Sequence, residues 1–394
     1  MKCRYCKYPL TEGPVYRPKG SLVQLSVFLC PRCKLLQASY REKKFYGKER
    51  LYKNKKYKNF YISCDANYSN LRVGKQQMVE KCIRILETQN LFRLSIVKSV
   101  LDVRCARGHF IKVAKRIFPN ANVIVGLEED PYLNMDTHLS SKTKILKKSI
   151  YSYKSAKCFD FILSCHTLEH YRNPLKYLTY IYQKLNPNGI LLLDVPNILD
   201  FLKKGALDEA FYDKHLLYFE PYTIQNILEQ CGLSILSIST SKNGCIEILA
   251  QKGQSQSQSK TEKRFRRNSV TNRLIYKYAK ELQSNRLSLP VLSRKIEQWL
   301  KKYKSPIAFG AGRILDAFEK YGQLNTKNFH AFVDNYLCDA SKYVNGRLIS
   351  RLSEMNLPPD AAILFTREKS NSIVRHIKLL FPKCLIMHWS DFQN

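Results

Sequence analysis

Between about residues 70 and 250, short β-branched apolar runs alternate with amphipathic stretches, the pattern of an α/β domain with a mostly parallel sheet. The runs at 99–103, 122–127, 159–164 and 190–195 read as strands. Between the last two the apolar period lengthens, and Leu175, Leu178, Ile181 and Leu185 fall on one face of a helix with Asn173 as N-cap and Pro174 in its first turn. The turn Asn186, Pro187, Asn188, Gly189 is expected to end that helix. After a further strand at 246–250 comes QKGQSQSQSKTEKRFRRN, too poor in apolar residues to pack. Residues 270–303 then read as helical, with Pro290 a point where the helix can break, and a second, smaller α/β block begins at Pro306. The expected architecture is α/β in three parts and a linker: a cysteine-punctuated segment at 1–45, the larger α/β domain at 46–250, the linker at 251–268, and a helical connection with the smaller Rossmann-like block at 269–394.

Thirteen cysteines change the picture at the N-terminus alone, where Cys3-x2-Cys6 is followed by Cys30-x2-Cys33. Two such pairs set four soft thiolates around one tetrahedral ion, and a segment with so little core needs that cross-link; zinc is the expected ligand, in a structural role because no position stays open. The chain begins MKCRYC with no apolar run behind it, and no stretch approaches the roughly 18 apolar residues of a membrane span. It therefore reads as a soluble, cytoplasmic protein with reduced thiols. A formal charge of +34 suits a polyanionic partner, nucleotide phosphate or nucleic acid, but the lysines are scattered and no basic arm dominates.

The strand-turn-helix VLDVRCARGHFIKVAKRI has the layout of a nucleotide-binding turn, with Asp102 and Gly108 in keeping. Arg104 stands where a bare glycine usually lets the backbone approach a ligand, and Ala106 is only a near substitute. One strand later Glu128 ends an apolar run, where an acid can grip a ribose diol. In the last block Gly310, Ala311 and Gly312 lie between strand and helix, and Asp334 ends the next strand.

The segment FDFILSCHTLEHYRNPLKYLTYIYQKLNPNGILLLDVPN resembles the region after the first motif in class I methyltransferases. With the paired-cysteine start and with PIAFGAGRILDAF, FHAFVDN, KYVNGRLI and PDAAILF in order at the end, the chain resembles the zinc-containing, S-adenosylmethionine-dependent sugar C-methyltransferases over nearly its whole length. The resemblance implies methyl transfer to a nucleotide-linked keto-deoxysugar, in polysaccharide or glycoside biosynthesis. It implies S-adenosyl-L-methionine and Zn(2+) as cofactors, with Asp102, Arg104, Gly108, Glu128, Ser164 and His166 lining the adenosyl site. Gly310, Gly312 and Asp334 would then meet the substrate, His215 would be the base, and Tyr61, His170 and Tyr212 would orient or stabilise the oxyanion. Lys214 departs from the family pattern, which has a glutamate there, and leaves neighbouring Asp213 to support the histidine. Arg104 and Lys214 together favour an alternative, a degenerate relative kept as a scaffold of a glycan pathway. A zinc protein that binds or methylates RNA is a third reading, carried by the charge and 25 tyrosines but by no RNA-binding motif. The oligomeric state has no signature in the sequence.

Overall fold

The computed structural model describes residues 1–16, 25–40, 68–88, 94–106, 108–129, 138–203, 211, 215–241, 244–253, 269–335, 337–339, 343–344, 347–366 and 369–393. They form three sheets. The first is four-stranded and small, built from β1 (Thr11–Tyr16), β2 (Leu25–Leu29), β3 (Leu36–Tyr40) and, far away in sequence, β10 (Leu217–Tyr218).

The central sheet has eight strands. Helix α1 (Tyr68–Thr88) precedes β4 (Ser99–Val103), α2 (His109–Ile117), β5 (Val123–Leu127), β6 (His138–Ser140), β7 (Thr143–Leu146), β8 (Phe159–Cys165), α3 (Pro174–Lys184), β9 (Leu185–Pro196), α4 (Ile198–Lys203), then β10, α5 (Pro221–Gln230), β11 (Leu233–Thr240) and β12 (Cys245–Lys252). Their order is β6-β7-β5-β4-β8-β9-β12-β11. Strands β7, β5, β4, β8 and β9 run parallel, while β12 is antiparallel to both β9 and β11. The chain leaves β4 toward β5 and returns to β8 on its other side, so the topological switch lies at the carboxyl ends of β4 and β8, where open α/β sheets bind ligands. At the opposite end Asp160 pins these strands, its Oδ2 accepting from Lys98 N, Ser99 N and Ser99 Oγ.

The expected α/β class is what the structure shows, and two local expectations are corrected. The turn before Gly189 does not separate helix from strand. β9 begins at Leu185 directly after α3, and residues 186–189 form an excursion within it, with Phe159 opposite Leu185 and Phe161 opposite Ile190. Asn188 takes φ +60°, and a Cβ on Gly189 would lie 2.9 Å from the carbonyl oxygens of Asn186 and Phe159, so only a bare Cα fits. Nor does Pro290 break its helix: α6 runs unbroken over Asn272–Leu300. The packing of Leu289, Leu292, Ser293 and Ile296, with Gly322 lying against the Leu289 carbonyl, outweighs the backbone hydrogen bond that proline cannot donate.

The third sheet comprises β13 (Pro306–Phe309), β14 (Ala331–Val333), β15 (Tyr343–Val344), β16 (Arg347–Ser350), β17 (Ala361–Leu364) and β18 (Leu385–His388), in the order β15-β16-β14-β13-β17-β18, with α7 (Arg313–Gly322) and α8 (Asn371–Leu380). All but β15 are parallel. Ile275, Tyr278 and Leu282 of α6 belong to the core shared by the first and second sheets, whereas Leu289, Ile296 and Leu300 belong to the core beneath the third. No described helix is long and apolar enough to cross a membrane.

Glu220, at the start of α5, ties that helix to the entry of α6 by accepting from Val270 N at 2.8 Å. Burial pushes its carboxyl up from 4.5 to about 7, against the Val270 hydrogen bond and the charge of Lys34. The native state thus binds a proton more tightly than the unfolded chain. This group's contribution is whole below about 4.5 and is lost as pH rises through about 7. In thermal melts across pH 4 to 8, Glu220→Gln should gain on the parent as pH rises, by about 3 kcal/mol at the top of the range. A difference independent of pH would mean that burial is not what disfavours the charge.

Candidate functional site

At the carboxyl end of β4 the backbone turns through Arg104 (φ +58°), Ala106 (φ +50°) and Gly108 (φ +72°). This is the alternating left-handed course of a glycine-rich turn, kept with only its last glycine, and each substituted position costs about 1 kcal/mol of strain. Ala106 N donates to Glu128 Oε2 at 2.9 Å, which holds the turn against the end of β5, while Cys105 N donates to the Leu127 carbonyl. Asp102 is fully buried within β4. The Arg104 side chain turns toward Glu129, with Nε 3.7 Å from Oε1, and Tyr171 Oη donates to the same oxygen at 3.4 Å. Ser164 pairs across from Val103, and its hydroxyl bonds Tyr177 Oη at 2.8 Å in the interior. The turn's backbone and the buried acid beside it fit an adenosyl group; Arg104 sits within that fit as a charged neighbour of Glu129.

Beside this turn lies a buried polar chain. His166 follows β8 at φ +47°, its N–H held by the Asp194 carbonyl. Its Nδ1 is 3.4 Å from Glu169 Oε1, and its Nε2 is 3.5 Å from both Asp194 Oδ2 and Cys245 Sγ. Glu169 Oε1 also stands 3.9 Å from His215 Nε2, and the rings of His215 and His170 meet edge to face at 4.9 Å. Burial opposes a charge on His166, yet Asp194, then Cys245 and Glu169, outweigh it and hold the imidazole well above its usual range. Burial likewise opposes ionisation of Glu169, but its hydrogen bond with His166 and the charge of His215 hold its carboxyl below the usual value.

His215 is placed by the cysteine segment as much as by the central sheet. Leu216 N donates to the Glu169 carbonyl at 2.8 Å, while the Leu216 carbonyl accepts from Ala38 N at 3.1 Å and from Arg4 Nη1 at 3.0 Å. β10, the next two residues, is the outer strand of the small sheet. In that segment the two cysteine pairs repeat one turn: Lys7 N bonds the Cys3 carbonyl and Lys34 N the Cys30 carbonyl, with both lysines left-handed. Cys3 and Cys33 Sγ lie 3.6 Å apart, Cys6 and Cys30 Sγ 3.4 Å apart, and all four sulfurs fall within 4.8 Å of one another. These spacings are far too long for disulfides and close to the roughly 3.8 Å edge of a thiolate tetrahedron around an ion with 2.3 Å bonds. Tyr5 N and Gln37 Nε2 point at Cys3 Sγ, and Cys33 N at Cys30 Sγ.

In the third sheet Gly310 (φ +92°) approaches the Phe365 carbonyl so closely that a Cβ would sit 2.9 Å from it, whereas Gly312 faces open space. Asp334 accepts from Ala311 N and Leu337 N, so Gly310, Gly312 and Asp334 do meet at one carboxyl edge. Tyr61, Tyr212, Asp213 and Lys214 lie outside the described residues. Sequence reasoning named His166 but passed over Glu169, Asp194 and Cys245. The signal for Asp194 was there, an acid inside the otherwise apolar run ILLLDV.

Residues 75–238 match the family model described as a methyltransferase domain. Similar solved structures include the N-methyltransferase NodS from Bradyrhizobium japonicum (18% identity, 42% of this chain and 94% of that one, TM-score 0.31). The plantazolicin methyltransferase BpumL in complex with SAH is another (16%, 52% and 93%, TM-score 0.39). A third is CalS10, an amino pentose methyltransferase from Micromonospora echinaspora (14%, 45% and 91%, TM-score 0.37). No curated protein matches the chain.

Proposed function

We propose, on the premise that the central domain is an S-adenosylmethionine-dependent methyltransferase, that the protein methylates a carbon next to the ketone of a nucleotide-linked keto-deoxysugar. The carrying observation is the buried Glu169 carboxylate, which reaches His215 beside the turn expected to hold the cofactor. It supplies from another part of the chain the acid that Lys214 does not provide. With Nε2–H turned to Glu169, the lone pair of His215 is on Nδ1, where it can take a proton from the acidic carbon. The imidazole of His170, edge-on to His215, is a donor for the oxyanion that follows. S-adenosyl-L-methionine, when bound, contributes the electrophilic methyl. Glu128 would hold its ribose, and the backbone of 104–106 and Gly108 with His166 would flank the rest. Zn(2+) on Cys3, Cys6, Cys30 and Cys33 would fix the small sheet and through it β10 and His215. Gly310, Gly312 and Asp334 would meet the nucleotide. The parts would then be the cysteine domain 1–45, the methyltransferase domain 46–250, the linker 251–268 and the substrate-binding remainder, in a cytoplasmic pathway of polysaccharide or glycoside assembly.

Isothermal titration with S-adenosylhomocysteine should give a micromolar-range Kd. No heat at millimolar ligand would remove the enzyme reading and leave the degenerate scaffold.

A further inference from the structure

The donors around His166 are more numerous than methyl transfer needs. Cys165 Sγ donates to Asp194 Oδ2 at 3.1 Å, that same oxygen lies 3.5 Å from His166 Nε2, and the donor atoms of all three residues fall within 4.8 Å of one another. A tetrahedral ion with zinc's bond lengths to sulfur, nitrogen and oxygen sets its ligand atoms about 3.3 to 3.8 Å apart. Three elements converge on the point: β8 ends in Cys165 with His166 directly after it, β9 carries Asp194 near its end, and antiparallel β12 begins with Cys245, whose Sγ is 3.5 Å from His166 Nε2.

Two further observations point to a cation. The Asp194 side chain is only 6% exposed, and its Oδ1 is buried with no hydrogen-bond partner, which costs free energy that an adjoining dication recovers. On the other side of the ring, His166 Nδ1 faces the buried Glu169 carboxylate. That is how metal-bound histidines are oriented: one nitrogen on the ion, the other donating to an acid that fixes ring and tautomer.

We propose that Cys165, His166 and Asp194 form a second metal site, for a divalent transition metal of the zinc type, with the fourth tetrahedral position open to an oxygen ligand. The mixed sulfur, nitrogen and oxygen set suits zinc and excludes magnesium and calcium, which take oxygen ligands. On binding, the thiol proton that Cys165 shares with Asp194 and any proton on His166 Nε2 leave to solvent, and the metal takes the lone pairs. The site is separate from the four-cysteine cluster and stands whether or not the sugar reading does.

The test is metal counting by mass spectrometry on the full chain, purified from zinc-supplemented cells and desalted. About two equivalents are expected for the parent, about one for Asp194→Asn and for Cys165→Ser, and about one for Cys6→Ser. A parent holding about one equivalent that Asp194→Asn and Cys165→Ser keep and Cys6→Ser loses would overturn the second site. One equivalent lost in the first two variants and kept in Cys6→Ser would support it, and would count against the cysteine cluster instead. Should these variants aggregate, anaerobic cobalt titration of the parent decides alone: two saturable steps, one with a weaker thiolate charge-transfer band, support the site, and a single four-thiolate step overturns it.

Discussion

His215→Ala should leave the affinity for S-adenosylhomocysteine within about two-fold of the parent while kcat for the proposed sugar methylation falls by roughly 10²- to 10⁴-fold, the range for removing a general base. The separation of the two readouts follows from the layout. The turn at Ala106 is braced by Glu128, whereas His215 hangs between the Glu169 carbonyl and the small sheet through Leu216. Because the side chain is partly exposed, its truncation should cost little stability. Titration calorimetry and turnover measured on the same preparation check both halves. Undiminished turnover would take His215 out of the mechanism; joint loss of binding and turnover would make it a structural residue.

If the four cysteines hold zinc as proposed, removing it by Cys6→Ser or exhaustive chelation should have the largest effect on stability of any single change. Loss of a structural metal belongs to the few lesions worth more than about 4 kcal/mol, which in a domain of this size lowers Tm by roughly 8 to 16 °C. The damage should spread in one direction. Thr223 Oγ1 donates to the Cys33 carbonyl at 2.8 Å and Ala38 N to that of Leu216, so melting of the segment releases β10 and displaces His215. Turnover should therefore collapse with S-adenosylhomocysteine binding kept, and restored zinc should recover it in the chelated parent but not in Cys6→Ser. Unchanged melting after verified metal removal would show that the four thiols pack without an ion.

The large α/β domain was legible because its strands are short apolar runs bounded by turn residues. The run at 99–103 is β4 to the residue, and the run at 122–127 is one residue longer than β5. Asn173 caps α3 as its position implied, accepting from Lys176 N. The failures are tertiary in origin. Nothing local in LNPNG shows that it will be drawn into a strand opposite Phe159, and the propensity of Pro290 to break a helix is overridden by tertiary packing that includes α7, more than twenty residues on. Candidate chemistry was legible in the same measure. Cysteine pairs announce themselves by spacing, whereas the chain from His215 through Glu169 and His166 to Asp194 and Cys245 joins four segments, and only the topology of the sheet brings them together.

The unbroken α6 makes the C-terminal block an arm on a rigid shaft. Its first half is bedded in one core and its second half in another, so orientation is transmitted through the helical screw itself. One residue inserted near Asn285 would turn everything beyond it by about 100° while advancing it only about 1.5 Å. Whatever the glycine edge at Gly310 carries would then point in a different direction relative to the central sheet, although neither globule had lost a contact of its own.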